Sequence, residues 1–199
     1  MTLGAALRSL PATQDDFEAW CLAPEGPDLG HFEFLYGCVV AEPPASWPHG
    51  LVSGSIGRQL ASFVADRRIG LFFDASQGFA LPSGDTVEPD AAVILRETWD
   101  AAPAPTAGRF LRIVPDLVVE VLSPRTARRD RGPKRHIYER NGVREYWLLD
   151  PRRREITVLV RGSRERFERV CTAAGDSLAH STLLPEFATR PTAVFPARS

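Results

Sequence analysis

A single acid interrupts the apolar run Leu117-Val118-Val119-Glu120-Val121-Leu122, and the chain's one lysine, Lys134, follows it fourteen residues later. Side chains alternate across a strand, so the Glu120 carboxylate shares a face with Val118 and Leu122. A carboxylate buried there is costly unless it is protonated, paired with a cation or bound to a metal; the structural alternative is a strand end where it reaches solvent or an arginine. Every other one of the 24 basic residues is arginine. Lysine is a compact point charge that can sit beside a water or a phosphoryl oxygen, where the planar guanidinium prefers a bidentate fork. Lys134 is therefore a candidate for chemistry, against the plain alternative of a lone survivor in an arginine-rich composition. A second acid, Asp90, heads another apolar run in Glu88-Pro89-Asp90-Ala91-Ala92-Val93-Ile94-Leu95. Proline suits the head of a strand because it forgoes no interior ladder bond there. An Asp at the mouth of one central strand and a Glu within its neighbour can share a hard divalent cation such as Mg²⁺. Taken alone, the Pro-Asp pair also simply starts turns and strands.

The elements that must position these groups are legible in outline. Thr13 and Asp16 resemble a capping box opening a short helix through Trp20, followed by a loop at Pro24, Gly26, Pro27 and Gly30, and this segment reads as peripheral. Residues 31–40 read as one strand, with a turn at Pro43, Pro44 and Pro48. Leu51, Ile56, Leu60, Phe63 and Val64 recur near helical spacing, predicting an amphipathic helix over 50–68 that Gly70 ends. Strands are predicted over 71–74, 88–95 and 116–122, the last two as central strands, with a surface loop over 99–108. Ser123-Pro124 reads as an N-cap and first-turn pair, and a helical segment over 133–140 closes at Asn141-Gly142. A hairpin over 145–149 and 155–160 follows, with a charged turn at Asp150-Pro151 and Arg152 to Arg154, and the proline-punctuated tail wraps the core. The order from residue 50 to 150 is helix, three strands, helix, strand, which is a mixed α/β class.

Three segments together carry a resemblance. They are Pro115-Asp116-Leu117-Val118-Val119-Glu120-Val121-Leu122-Ser123-Pro124, then Arg128-Arg129-Asp130-Arg131-Gly132-Pro133-Lys134-Arg135, then Tyr138 with Glu145-Tyr146-Trp147-Leu148-Leu149-Asp150-Pro151. With Phe32-Glu33-Phe34-Leu35-Tyr36-Gly37, His49, Glu88-Pro89-Asp90, Gly175-Asp176 and Leu183-Leu184-Pro185, they resemble the Uma2 family of the PD-(D/E)XK nuclease superfamily over about residues 31–186. The resemblance implies a restriction-endonuclease-like α/β core with an added N-terminal strand and a C-terminal hairpin, in one domain spanning residues 1–199. It further implies a metal-dependent endonuclease in which Asp90 and Glu120 hold Mg²⁺ or Mn²⁺ and a metal-activated water cuts the phosphodiester, leaving 5′-phosphate and 3′-hydroxyl ends. By resemblance the lysine has moved from the position two beyond the acid, here Leu122, onto the following helix, where Lys134 and Tyr138 at i and i+4 face one side. Pro133 stands where a glutamate is common in the family, so the helix carrying Lys134 is expected to begin there. Tyr36 and Cys38 replace acids common in the family, leaving Glu33 as the acid of that strand; Glu33 and His49 are further active-site candidates. Their alternatives are an ion pair and a helix-start hydrogen bond.

A net charge of -1 hides local crowding of arginine, so it does not exclude a phosphate-bearing partner. Arg125, Arg128, Arg129, Arg131 and Arg135 are candidates for phosphate contacts at the site's edge, with Arg152 to Arg154 as a second patch; solvated surface charge is the alternative. The expected partner is nucleic acid, DNA before RNA, and a homodimer is expected by the superfamily resemblance alone. Trp47, Trp99 and Trp147 read as packing residues. Cys21, Cys38 and Cys171 are odd in number and widely spaced, and read as reduced packing residues of a cytoplasmic protein. The N-terminus lacks a long apolar region, so neither a secretion signal nor a membrane anchor is expected. A competing reading, motivated by Leu122 and Pro133, is a nuclease fold that has lost turnover and binds nucleic acid or a protein partner. A third is hydrolysis of another phosphodiester or phosphorylated metabolite.

Overall fold

In the computed structural model, which describes residues 10–24, 26–27, 31–42 and 44–197, the two most apolar runs lie side by side at the middle of a sheet. The elements are, in chain order, α1 (Gln14–Leu22), β1 (His31–Leu35), β2 (Cys38–Glu42), α2 (His49–Arg67), β3 (Gly70–Asp74), β4 (Phe79–Ala80), β5 (Thr86–Val87), β6 (Ala91–Leu95), α3 (Arg96–Ala101) and β7 (Leu117–Val121). A continuous helical segment follows: α4 (Ala127–Arg129), a π-helical turn (Asp130–Lys134) and α5 (Arg135–Asn141). The chain continues through β8 (Glu145–Asp150), β9 (Glu155–Arg161), β10 (Phe167–Ala174), β11 (Ala179–His180), β12 (Ala188–Thr189) and α6 (Pro191–Val194). The N-terminal residues read for a leader, along with Gly30 and Pro43, lie outside the described residues.

Six strands form the main sheet in the order β10-β9-β8-β7-β6-β3. Within it β7 and β8 run parallel, which demands a crossover, and the helical segment from Ala127 to Asn141 supplies it. Alternation along β7 sends Val119 and Val121 to one face, where they pack with Val52, Ile56, Leu60 and Val64 of α2. Val118 and Leu122 go to the other, against Ile137 and Tyr138 of α5. A second sheet, ordered β2-β1-β5-β4, contributes Leu35, Phe79 and Val87 to this latter core.

Several expected boundaries shift for identifiable reasons. The predicted strand over 31–40 is a hairpin: Tyr36 and Gly37 both adopt positive φ, 52° and 80°, as a two-residue turn matching strand twist requires. Its strands join the separate four-stranded sheet and do not extend the main one. Arg68, in the left-handed conformation, ends α2, and Gly70 instead opens β3. The loop predicted from 99 begins with α3, whose Thr98 hydroxyl donates to Asp116. Ser123 does accept the Thr126 amide at 3.1 Å, yet regular helix starts only at Ala127. That helix does not begin at Pro133 either. Proline lacks an amide hydrogen and clashes in an α-helical interior, and the wider π turn accommodates it without breaking the segment.

Two packing expectations are also corrected. Trp47, in the turn before α2, is 75% exposed, and Cys38 lies exposed on the hairpin, while Trp147 is buried and Trp99 partly so. Burial pushes the Cys21 thiol up to about 12, so it stays protonated. All three cysteines are free. No helix among the described residues is long and apolar enough to cross a membrane.

Fixed carboxylates tie the periphery to the sheet. Glu145, fully buried on β8, accepts from Trp147 Nε1 and from the Thr182 amide, Thr182 hydroxyl and Leu183 amide, which anchors the C-terminal segment. The N-terminal helix is similarly anchored and is not peripheral. Thr13 caps it by accepting the Asp16 amide, Phe17 is buried against Phe34, and the buried Glu18 accepts from Arg109, Arg112 and the Phe110 amide at 2.6–2.9 Å. The bond from Arg109, reinforced by Phe110 and Arg112, holds the Glu18 carboxyl down at about 2 from an ordinary 4.5. A depressed carboxylate contributes stability above its unfolded value and loses it as pH falls through the folded one. Glu18→Gln is therefore expected to destabilise the protein by roughly 1–3 kcal/mol at neutral pH. In urea denaturation the gap between variant and wild type should shrink as pH falls from about 4.5 toward about 2; a gap that does not change with pH would contradict this account.

Candidate active site

Strand register brings the two acids together. In the antiparallel β6–β7 pair Ala91 faces Val119 and Ala92 faces Val118, so one further step sets Asp90 opposite Glu120. Directly opposed residues hold their Cβ atoms about 5 Å apart. Asp90 Oδ2 accepts the Val121 amide at 2.7 Å, which locks the carboxylate across the strand end. His49, at the first turn of α2, brings Nε2 to 3.4 Å from the same oxygen. The hydrogen bond to Asp90 holds the His49 imidazole above its ordinary value, against the opposing effect of burial.

The ammonium arrives from the helical crossover. Lys134, the last residue of the π turn, places Nζ 2.5 Å from Glu120 Oε1 and 2.8 Å from Glu33 Oε1. Glu33 is wholly buried on β1 and also accepts the Glu88 amide at 2.9 Å. Tyr138, one turn beyond Lys134, donates its hydroxyl to Glu120 Oε1 at 2.7 Å. Burial opposes charge on Lys134, but Glu120, Glu33 and Asp130 outweigh it and hold the amine well above its ordinary value. Burial likewise pushes the Glu120 carboxyl well up, with the Lys134 charge pulling it back, and drives the Tyr138 phenol up so that it remains a donor. Leu122, where a lysine two beyond the acid would stand, is buried in the apolar core.

Asp90, Glu120, His49 and Lys134 line one cavity of about 410 Å³. The hairpin that carries Glu33 is pinned to this wall. Asp85 accepts the Tyr36 amide and pairs with Arg140, and the Tyr36 hydroxyl donates to the Pro133 carbonyl. Of the arginines singled out in the sequence, Arg125 and Arg129 line the cavity. Arg128 is exposed away from its lining, Arg131 pairs with Asp150 at 2.6 Å, and Arg135 is bonded to Glu139 and to the Phe167 carbonyl. A further lining residue escaped the sequence reading: Asp130, buried at the start of the π turn. The spacing Asp130, Lys134, Tyr138 at i, i+4 and i+8 was its available signal, obscured by the surrounding arginines.

The donor set suits a hard divalent ion. Among the described residues, no hydrogen-bond donor takes Asp90 Oδ1 or Glu120 Oε2, so each acid keeps one oxygen while the protein engages the other. No group of three or more His, Cys, Asp or Glu among the described residues is placed to hold a metal ion, so any ion here would have the two acids alone as protein ligands. Magnesium needs no more than that, since it keeps several waters and binds through one or two carboxylates and substrate phosphates.

The Uma2 family model, described as "Putative restriction endonuclease", matches residues 14–193. Among solved structures, the chain is similar to "a putative nuclease belonging to DUF820" from Anabaena variabilis, with a TM-score of 0.74 and 19% identity over 93% of this chain and 98% of that one. At that identity the likeness is one of fold. No curated protein matches the chain.

Replacing Lys134 by Met would strand Glu33 and Glu120 in the interior without their cation. Urea denaturation is expected to show a loss of about 3–5 kcal/mol. Adding Glu33→Gln to that variant should restore part of the loss, because one of the two stranded charges disappears. Strictly additive losses would argue against the shared ammonium.

Proposed function

Because the chain belongs to the Uma2 family, we propose that it is a divalent-metal-dependent endonuclease acting on nucleic acid, DNA before RNA. In this reading α2, β3, β6, β7, the helical crossover and β8 make up a restriction-endonuclease-like core within a single nuclease domain. The observation that carries the proposal is the juxtaposition of Asp90 and Glu120 across adjacent strands, with the Lys134 ammonium 2.5 Å from Glu120 in the same cavity.

Asp90 and Glu120 are the residues that would hold Mg²⁺ or Mn²⁺. When bound, the ion supplies a lowered pKa for an attacking water and neutralises charge on the phosphoryl oxygens. The chain's own groups do the positioning. Lys134 presents a fixed positive charge toward the scissile phosphate, where negative charge grows in the transition state. Glu33 acts through Lys134, holding the ammonium from the side of the second sheet. Tyr138 restricts Glu120 by occupying one carboxylate oxygen, and the Val121 amide does the same for Asp90. His49 braces Asp90 from α2. Arg125 meets backbone phosphate at the cavity rim, which positions a strand without reading its sequence. A homodimer would place two such cavities on opposite strands of a duplex.

Supercoiled plasmid incubated with Mg²⁺ or Mn²⁺ tests this. Wild type is expected to nick or linearise it, Asp90→Ala and Glu120→Ala to lose that activity, and Lys134→Ala to slow it by roughly 10²–10³-fold. Equal cleavage by wild type and Glu120→Ala would refute the proposal. A wild type that binds DNA with a steep salt dependence, yet neither cuts it nor takes up the ion, would point to a binding protein.

A further inference from the structure

Breaking a phosphodiester requires a proton for the leaving oxygen, because an alkoxide departs poorly without one. The nitrogen groups that line the cavity are His31, His49, Lys134, Arg125 and Arg129. Guanidinium groups do not give up a proton in proteins. The Lys134 ammonium is shared by Glu33 and Glu120, which hold it protonated. His49 is tied to Asp90 through Nε2, and its Nδ1 is buried without a partner. His31 differs from all four.

His31 Nδ1 lies 2.8 Å from Glu88 Oε2, and Nε2, across the ring, has no hydrogen-bond partner among the described residues. The imidazole is 52% exposed and the Glu88 side chain 13%, so a partly buried carboxylate fixes one edge of the ring while water reaches the other. Burial pushes the Glu88 carboxyl up, and the pairing with His31 pulls it back toward the charged form. Strand β1 positions the pair. His31 and Glu33, two residues apart, share a face of the strand; Glu33 accepts the Glu88 amide and His31 engages the Glu88 side chain. The cavity and a neighbouring groove of about 540 Å³ along α2 have His31, Ala75 and Asp90 in common, which places the imidazole at their junction with one of the two acids. An imidazole oriented by a carboxylate through one nitrogen, with the other free at a reaction cavity, is suited to proton transfer near neutral pH.

We propose that His31, oriented by Glu88, is the proton donor to the leaving 3′-oxygen. The inference rests on the endonuclease reading above and supplies a residue for a step that reading does not assign. The water oxygen bonds to phosphorus, the bond from phosphorus to the 3′-oxygen breaks, and that oxygen takes the proton of the His31 imidazolium at Nε2. Solvent returns a proton to the exposed ring and accepts the one that the attacking water loses.

Two duplex oligonucleotides provide the test, identical except that one linkage cut by wild type carries sulfur in place of its 3′-oxygen. A thiolate is far less basic than an alkoxide and leaves without a proton. With Mn²⁺, His31→Gln is expected to cut the oxygen linkage about 10²–10⁴-fold more slowly than wild type, and the sulfur linkage at about the wild-type rate. Its Tm, and its affinity for the duplex without metal by fluorescence anisotropy, should equal those of wild type. His31→Asn should behave in the same way and serves if the Gln protein does not fold. Equal slowing on both linkages, or a loss of duplex affinity that accounts for the slower cutting, would overturn the role of His31 alone. A wild type that cuts no linkage would overturn the endonuclease reading and this role with it.

Discussion

The structure depends on one buried ammonium. Lys134 lies between Glu33 and Glu120, so three separate parts of the chain converge on a single positive charge: the hairpin of the small sheet, a central strand of the large one and the crossover helix. Taking these ions out of water is costly, and close geometry is what offsets that cost. The surrounding contacts supply it. The Glu88 amide fixes Glu33, the Tyr138 hydroxyl fixes Glu120, and Asp85 with Arg140 and Tyr36 fastens the hairpin against the helix.

Backbone irregularities at the site have matching purposes. The parallel β7–β8 pair forces a crossover over this end of the sheet, and that crossover must turn both Asp130 and Lys134 toward the cavity while containing Pro133. A π turn satisfies all of these at once, since it accommodates the proline and resets the phase of the helix before α5. Position 122 carries an apolar residue, and Leu122 fills the core between Val118 and the crossover helix.

Much of this was legible in the residues. The apolar runs of β6 and β7 announced central strands, and each carried one acid whose burial required a partner. The alternation rule put Glu120 on the same face as Val118 and Leu122, and a composition with one lysine singled out Lys134. What escaped was decided by contacts between distant segments. The Tyr36-Gly37 turn had no Asn-Gly or Asp-Gly signature, and the arginines of the crossover looked alike although Arg131 and Arg135 are bound internally while Arg125 and Arg129 reach the cavity. Asp130 looked like one more charge in a charged stretch. Glu18 gave no local hint that two arginines and an amide nearly a hundred residues away would converge on it.

The shared ammonium has a bearing on how the molecule matures. Glu33 is delivered by a sheet that pairs with nothing in the main one, so docking the two layers and giving the lysine its second acid are the same event. With the layers apart, Lys134 would keep Glu120 of the main sheet, and Glu33 would be the acid left without its counter-ion. The lysine held between two acids is thereby a property of the finished tertiary assembly and of no single layer.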